Sequence, residues 1–363
     1  MYYDTPNIPF PLVCDIGPSF EKNRATKTYK IRREGDDDNF KQLYRFSREN
    51  VGFLARTFLP NYEETRGGAL QNMQKIKCFL RYVGDPGFQV GVGEDLSLHQ
   101  TTVCKTVWKT CRAIVEKSHE WIKFPSTKEE FEHEKKLWIK KYKFPYCIGA
   151  LDCTHVLIKR PHHFADEFVN RKGLTSFNVQ ATCNGREMFT SVECRWPGSV
   201  HDARIWRNSA IREILSDNNI DAVMLADEAY PIAPWLMTPF KNLSSAEQRC
   251  YNIMHTRERV IIERVFGQPK QRFPILQSKV RISTERVPQM VVACFVLHNV
   301  AKIINDEDFT LPEESLQPNY VQFNGGVDDG NSIRRRGQRR RDAIAMHIKI
   351  SYNIENILPS KHY

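Results

Sequence analysis

Apolar residues change their spacing along this chain, and the changes divide it. Up to residue 45, basic and acidic blocks alternate, as in KNRATKTYKIRREGDDDNF, without a sustained apolar period. This predicts a mobile N-terminal extension over residues 1–45. Across residues 46–140 the period becomes helical. Leu70, Met73, Ile76, Leu80 and Val83 fall on one helix face, and Gly84-Asp85-Pro86-Gly87 stops that helix. Gly93 permits a tight turn, and Ser97 or Thr101 can cap a second helix. That helix carries Val103, Val107, Cys111 and Ile114 on one side and Thr102, Lys105, Thr106 and Lys109 on the other. Two readings stay open: a helix-turn-helix whose second helix enters a DNA major groove through Lys105 and Lys109, or an ordinary helical bundle with a polar outer face. A charged helix over Lys128–Lys140 follows, with Phe131, Leu137 and Trp138 as its buried contacts.

Over residues 141–308 strand-like and helix-like segments alternate, which predicts an α/β domain. Tyr146–Arg160 (YCIGALDCTHVLIKR) reads as one buried strand, apolar on both faces, with Ile148, Ala150, Val156 and Ile158 on the face of Asp152. Ser176–Cys183 and Met188–Trp196 read as two further strands, with Asn184-Gly185 as a hairpin signal between them. An amphipathic helix over His201–Ser216, a short strand in Asp221–Ala226, a long helix from near His255 through Gly267 and an apolar helix over Val287–Ile304 complete the pattern. Three strands in meander, then helix, strand and helix is the order of a ribonuclease-H-like core. The expected fold class is therefore α/β, a ribonuclease-H-like nuclease core preceded by an all-α, helix-turn-helix-like domain. Residues 309–363 form a basic C-terminal tail. Its Arg334, Arg335, Arg336, Arg339, Arg340 and Arg341 read as a nuclear localisation signal or a nucleic-acid patch, or else as a solvated charged segment.

Composition narrows the function. The 363 residues are 41% hydrophobic and 26% charged, and the net charge of +10 points to a polyanionic partner, nucleic acid first. No apolar run reaches the roughly 20 residues of a membrane span, and the first residues lack the basic-then-apolar order of a signal peptide. Ten cysteines without a C-x-x-C pair fit a reducing compartment.

Four carboxylates stand where strand or helix ends expose them. Asp152 interrupts the first strand, Asp202 opens a helix, Asp227 follows the strand in DAVMLA, and Glu263 lies in the apolar helix RERVIIERVFG. Each alone has an ordinary explanation: a hydrogen-bonded strand residue, a first-turn helix acid, a cap, a partner for Arg259 or Arg264. As a set they are oxygen donors suited to Mg²⁺ or Mn²⁺, and two such ions activate a water or 3′-hydroxyl against a phosphodiester. His155 reads as a satisfied core histidine, and His162-His163 lacks partners at zinc spacing.

GALDCTHVLIKRP, FNVQATCN, WPGSVHDARIW, LADEAYPIAPWLMTPF, RERVIIERVFGQPKQRFPIL and FVLHNV, in this order across Phe144–Ile304, resemble the PIF/Harbinger transposases and the Harbinger-transposase-derived nucleases of animals. The resemblance implies a DDE centre with catalytic Asp152, Asp227 and Glu263, a divalent metal cofactor held by these three and Asp202, and DNA as substrate. It further implies a nuclear protein, with a cytoplasmic pool allowed, and a Myb-like DNA-binding partner; a homo-oligomer is compatible with it. The chain departs from the pattern at Glu228, an added carboxylate, at Ala229, in place of glycine, and at Pro269, expected to end or kink the last helix. The rival expectation is a catalytically silent DNA- or partner-binding nuclear regulator that keeps the fold. A dinuclear phosphatase acting on small substrates is a third.

Overall fold

A computed structural model describes residues 36–59, 70–85, 89–216, 220–306 and 331–352. Most of the expected N-terminal extension, the turn at Pro86-Gly87 and residues 307–330 of the linker and tail lie outside the described residues.

Five helices open the chain: α1 (Asp37–Tyr44), α2 (Arg48–Phe58), α3 (Asn72–Gly84), α4 (Gln89–Leu96) and α5 (Gln100–Glu116). The apolar stripe of α5 faces inward as its period dictates, with Val103, Val107, Cys111 and Ile114 fully buried. Its N-cap is His99, whose ring accepts from Thr101 N, rather than Ser97 or Thr101. Gly93 lies inside α4, where a Cβ would come within 2.5 Å of Leu98 O. After the single turn α6 (Ser118–Trp121), α7 (Lys128–Lys141) starts with a reciprocal capping box between Thr127 and Glu130.

The sheet follows. Strands β1 (Cys147–Leu157), β2 (Ser176–Cys183) and β3 (Phe189–Pro197) form an antiparallel meander. Two short helices, α8 (Asp202–Arg207) and α9 (Ala210–Ser216), replace the single expected helix. Ser209 Oγ bonds to Trp206 O at the break between them, a local side-chain alternative to helix continuation. Then come β4 (Val223–Leu225), parallel to β1, and β5 (Leu236–Met237), which completes the order β3-β2-β1-β4-β5. The mixed α/β architecture is as expected, with β1 central. The β2–β3 turn differs from a tight Asn-Gly turn: Asn184 Oδ1 accepts from Arg186 N and Met188 N, and the left-handed residue is Glu187, at φ 61°.

One expectation about β1 fails. Its register with β4 shifts between Cys147 and Gly149, so Ile148 joins Leu151 in one apolar cluster while Ala150, Val156 and Ile158 join the other. A bulge inverts the alternation at that point. Gly149 permits it, because a Cβ there would sit 2.2 Å from Cys183 O.

Helices α10 (Ala246–Arg259) and α11 (Ile261–Arg272) meet at Val260, so the expected long helix starts earlier and is broken. Pro269 does not stop α11; it sits inside it, three residues before the end. Helix α12 (Val287–Ile303) is buried through most of its length. A single apolar cluster joins residues of α1–α5, one face of the sheet and α10–α12; a second, with Phe131, Trp206, Ile211, Leu215 and Trp235, covers the opposite face.

The arginine-rich segment is not a solvated tail. It folds as α13 (Asn331–Ser351) and packs on α10 and β5 through buried Ile344, Ala345 and Ile348.

Candidate active site

The parallel register of β1 and β4 brings the first two acids together. Ala150 pairs with Leu225; Asp152 and Asp227 each lie two residues beyond that pair, at the C-terminal end of β4, where open sheets place their sites. Burial and the charge of Asp227 push the Asp152 carboxyl above its ordinary range, against the pull of Arg259. Burial likewise raises Asp227, whose Oδ1 accepts from Ala229 N at 2.9 Å. Two anions in a half-dry site repel each other, so the pair favours a cation between them.

The positive group nearest the pair is the Arg259 guanidinium, which bonds to Asp152 and whose charge lowers Asp227. Arg259 ends α10 and Glu263 lies one turn further on, in α11. The guanidinium donates to Asp152 Oδ2 at 3.2 Å and to Glu263 Oε1 at 2.6 Å. The Arg259 side chain is 13% exposed, against 16% for Asp152 and 32% for Glu263. The break at Val260 lets two helices contribute to one site. Of the two arginines near it in sequence, Glu263 takes Arg259; Arg264 pairs instead with Glu187, at 3.1 Å.

Asp202, at the start of α8, accepts from Asn178 Nδ2 at 2.8 Å. Its charge still raises Asp152 and Asp227. Among the described residues, no three of His, Cys, Asp or Glu stand close enough as arranged to hold a metal ion. The donor set fits a hard divalent cation in chemistry: its acids offer oxygen, and two of them already bind a positive group. In this arrangement Arg259 occupies the space between Asp152 and Glu263.

Lys270 is a cation beside β1 that the sequence reading misses. It lies seven residues after Glu263, two helical turns along the same stripe, and that spacing is its available signal. Its Nζ donates to Thr154 Oγ1 at 2.7 Å, and burial lowers its pKa. His155 is exposed rather than buried in the core, with its ring 3.0 Å from Ser176 Oγ. His162 and His163 are exposed.

The candidate nucleic-acid residues divide. Lys105 and Lys109 are exposed on α5. Arg334, Arg335, Arg336 and Arg339 are exposed on α13, whereas Arg340 and Arg341 anchor that helix. Arg340 pairs with Asp221 at 2.6 Å; Arg341 donates to Pro239 O at 2.8 Å and lies 3.9 Å from the Phe240 ring centre. These two positions combine charge with docking, which a basic run in sequence does not reveal.

Residues 151–299 match the family described as DDE superfamily endonuclease. Over 296 residues the chain is 26% identical to the Homo sapiens protein named "Putative nuclease HARBI1", covering 80% of this chain and 84% of that one, and 28% identical to its Mus musculus counterpart over the same shares. It is 24% identical over 310 residues to the Arabidopsis thaliana "Protein ALP1-like", covering 78% of this chain and 75% of that one. The likeness to the Harbinger-transposase-derived nucleases read from the motifs is borne out. No solved structure matches. Among the described residues no helix is long and apolar enough to cross a membrane.

Proposed function

We propose that this protein is a metal-dependent DNA endonuclease of transposase origin, hydrolysing phosphodiester bonds at a centre built from Asp152, Asp227 and Glu263. The observation that carries this reading is that Asp152, on β1, and Asp227, just past the parallel strand β4, lie at matching positions, with Asp152 linked to Glu263 through Arg259. The strand order, a three-stranded meander with two parallel strands added beside β1, supports a ribonuclease-H-like core.

Divalent Mg²⁺ or Mn²⁺, when bound, supplies Lewis-acid polarisation of the phosphodiester and a more acidic water. Asp152, Asp227 and Glu263 would hold it, with Asp202 as a further acidic ligand. The chain's own residues do the rest. The three carboxylates orient the donors. Arg259 joins Asp152 and Glu263 and balances their charge. Lys270, bonded to Thr154, would balance the charge of a phosphate that approached Thr154. The same centre with a 3′-hydroxyl as nucleophile would perform strand transfer. Nuclear residence, a Myb-like DNA-binding partner and self-association belong to this proposal as context.

The test is nicking of supercoiled plasmid with Mn²⁺, wild type against Glu263→Gln and Asp152→Asn. Nicking by wild type that both substitutions abolish supports the reading. Wild-type protein that binds DNA but never nicks it, with either metal, replaces the reading by the silent regulator.

A further inference from the structure

A cleft of about 830 Å³ runs between α8, α9 and the start of α13. Arg204, Arg207 and Arg212 line it from the first two helices, Arg171 from the loop before β2, and Arg334 and Arg341 from α13. Lys241 brings the cations to seven, against two lining carboxylates, Asp202 and Glu228. Helix α13 is held in this place by apolar packing together with ion pairs. Ile344 and Ile348 are buried, Gly337 lies tight against the Ala233 backbone, and Lys349 pairs with Glu247. Its amino-terminal half is thereby held over the cleft.

We infer that this cleft carries the DNA backbone flanking the cleaved bond, with the C-terminal helix as one of its walls. The inference deepens the endonuclease reading and rests on it. Three features favour DNA phosphates. A concave surface with seven cations focuses positive potential. Asp202 belongs both to the cleft lining and to the surroundings of the acidic pair, so a strand in the cleft continues into the site. The aromatic residues at its walls, Trp206, Tyr230, Trp235 and Phe240, are buried, so no ring offers a face for base stacking and contact falls on phosphate, independent of sequence.

The experiment is fluorescence anisotropy of a labelled 30-base-pair duplex with the full chain, in EDTA, over 50–200 mM salt. Arg204→Ala and Arg334→Ala alter opposite walls; Lys140→Ala, on an exposed residue of α7 outside the cleft lining, is the control. Removing one cation that neutralises a phosphate should flatten the slope of log K against log salt by about 0.9. The two cleft variants should each lose about one such increment and the double variant about two, with the control at the wild-type slope and all melting temperatures equal. Slopes unchanged in the cleft variants, or flattened equally in Lys140→Ala, overturn the inference. So does an acidic peptide that binds wild type more tightly than the duplex at equal salt. Because the assay contains no metal, the two readings separate. Flattened slopes without plasmid nicking keep the cleft and remove the endonuclease; nicking with unchanged slopes does the reverse.

Discussion

Arg259→Gln is the most informative single change, because Arg259 is the counter-charge that the acidic pair has in this structure. Its guanidinium neutralises Asp152 and Glu263 together. Removing one partner of a buried pair costs about 3–5 kcal/mol, since a charge is left without compensation. Glu263, 32% exposed, regains water, while Asp152, at 16%, does not, so the low end applies. A loss of about 3 kcal/mol corresponds to a melting temperature lower by roughly 6–12 °C for a domain of ~150–250 residues. Differential scanning fluorimetry in EDTA measures it. Mn²⁺ should then restore most of the loss, and at lower concentration than wild type requires for its own stabilisation, because wild-type protein must first move the guanidinium aside. An Arg259→Gln variant that melts within about 2 °C of wild type in EDTA, or that Mn²⁺ stabilises no more than wild type, refutes the idea that arginine and metal compete for one place.

Other perturbations probe the scaffold. Glu187 collects Lys141, Arg264 and Lys302 at 3.1 Å each, with Gln268 at 2.8 Å; burial opposes its charge, yet these partners hold its carboxyl at about 2. Glu187→Ala should therefore cost about 3–5 kcal/mol by urea unfolding, and the acid-side stability loss that wild type shows as pH falls from about 4.5 toward 2 should disappear in the variant. Glu258 behaves oppositely: burial raises it to about 8 despite hydrogen bonds from Trp138 Nε1 and Phe144 N. A raised carboxyl contributes stability that is complete below about 4.5 and lost as pH rises through about 8, so Glu258→Gln should remove a slope of up to about 1.4 kcal/mol per pH unit in that window; equal slopes would count against it. Gly149→Ala should lower stability by about 1–3 kcal/mol, read as a lower denaturant midpoint, since its Cβ meets Cys183 O, a backbone atom that cannot rotate away.

Much of the core was legible because its signals are local. β2 ends where its β-rich run ends, at Ser176 and Cys183, and α12 follows its apolar stretch from Val287. The first two acids of the site were legible for a related reason: a carboxylate inside or just after an apolar strand contradicts its surroundings, and Asp152 and Asp227 both do. What was not legible depended on neighbours. The break at Val260 divides two segments whose helical pattern is continuous. The bulge at Gly149 depends on Cys183, more than thirty positions away, and it moves Ile148 to the opposite face.

By itself the sequence determined most of the strands and helices, the charge excess, the acids and the family they resemble, because each is written in residue type and period. Tertiary packing alone decided that Arg259 lies between Asp152 and Glu263, that Asp202 bonds to Asn178, and that the arginine run is a docked helix lining a cleft. Periodicity tells which face of an element is apolar. It does not tell which charged groups from distant segments come within reach of one another, since those distances are set only once the layers close.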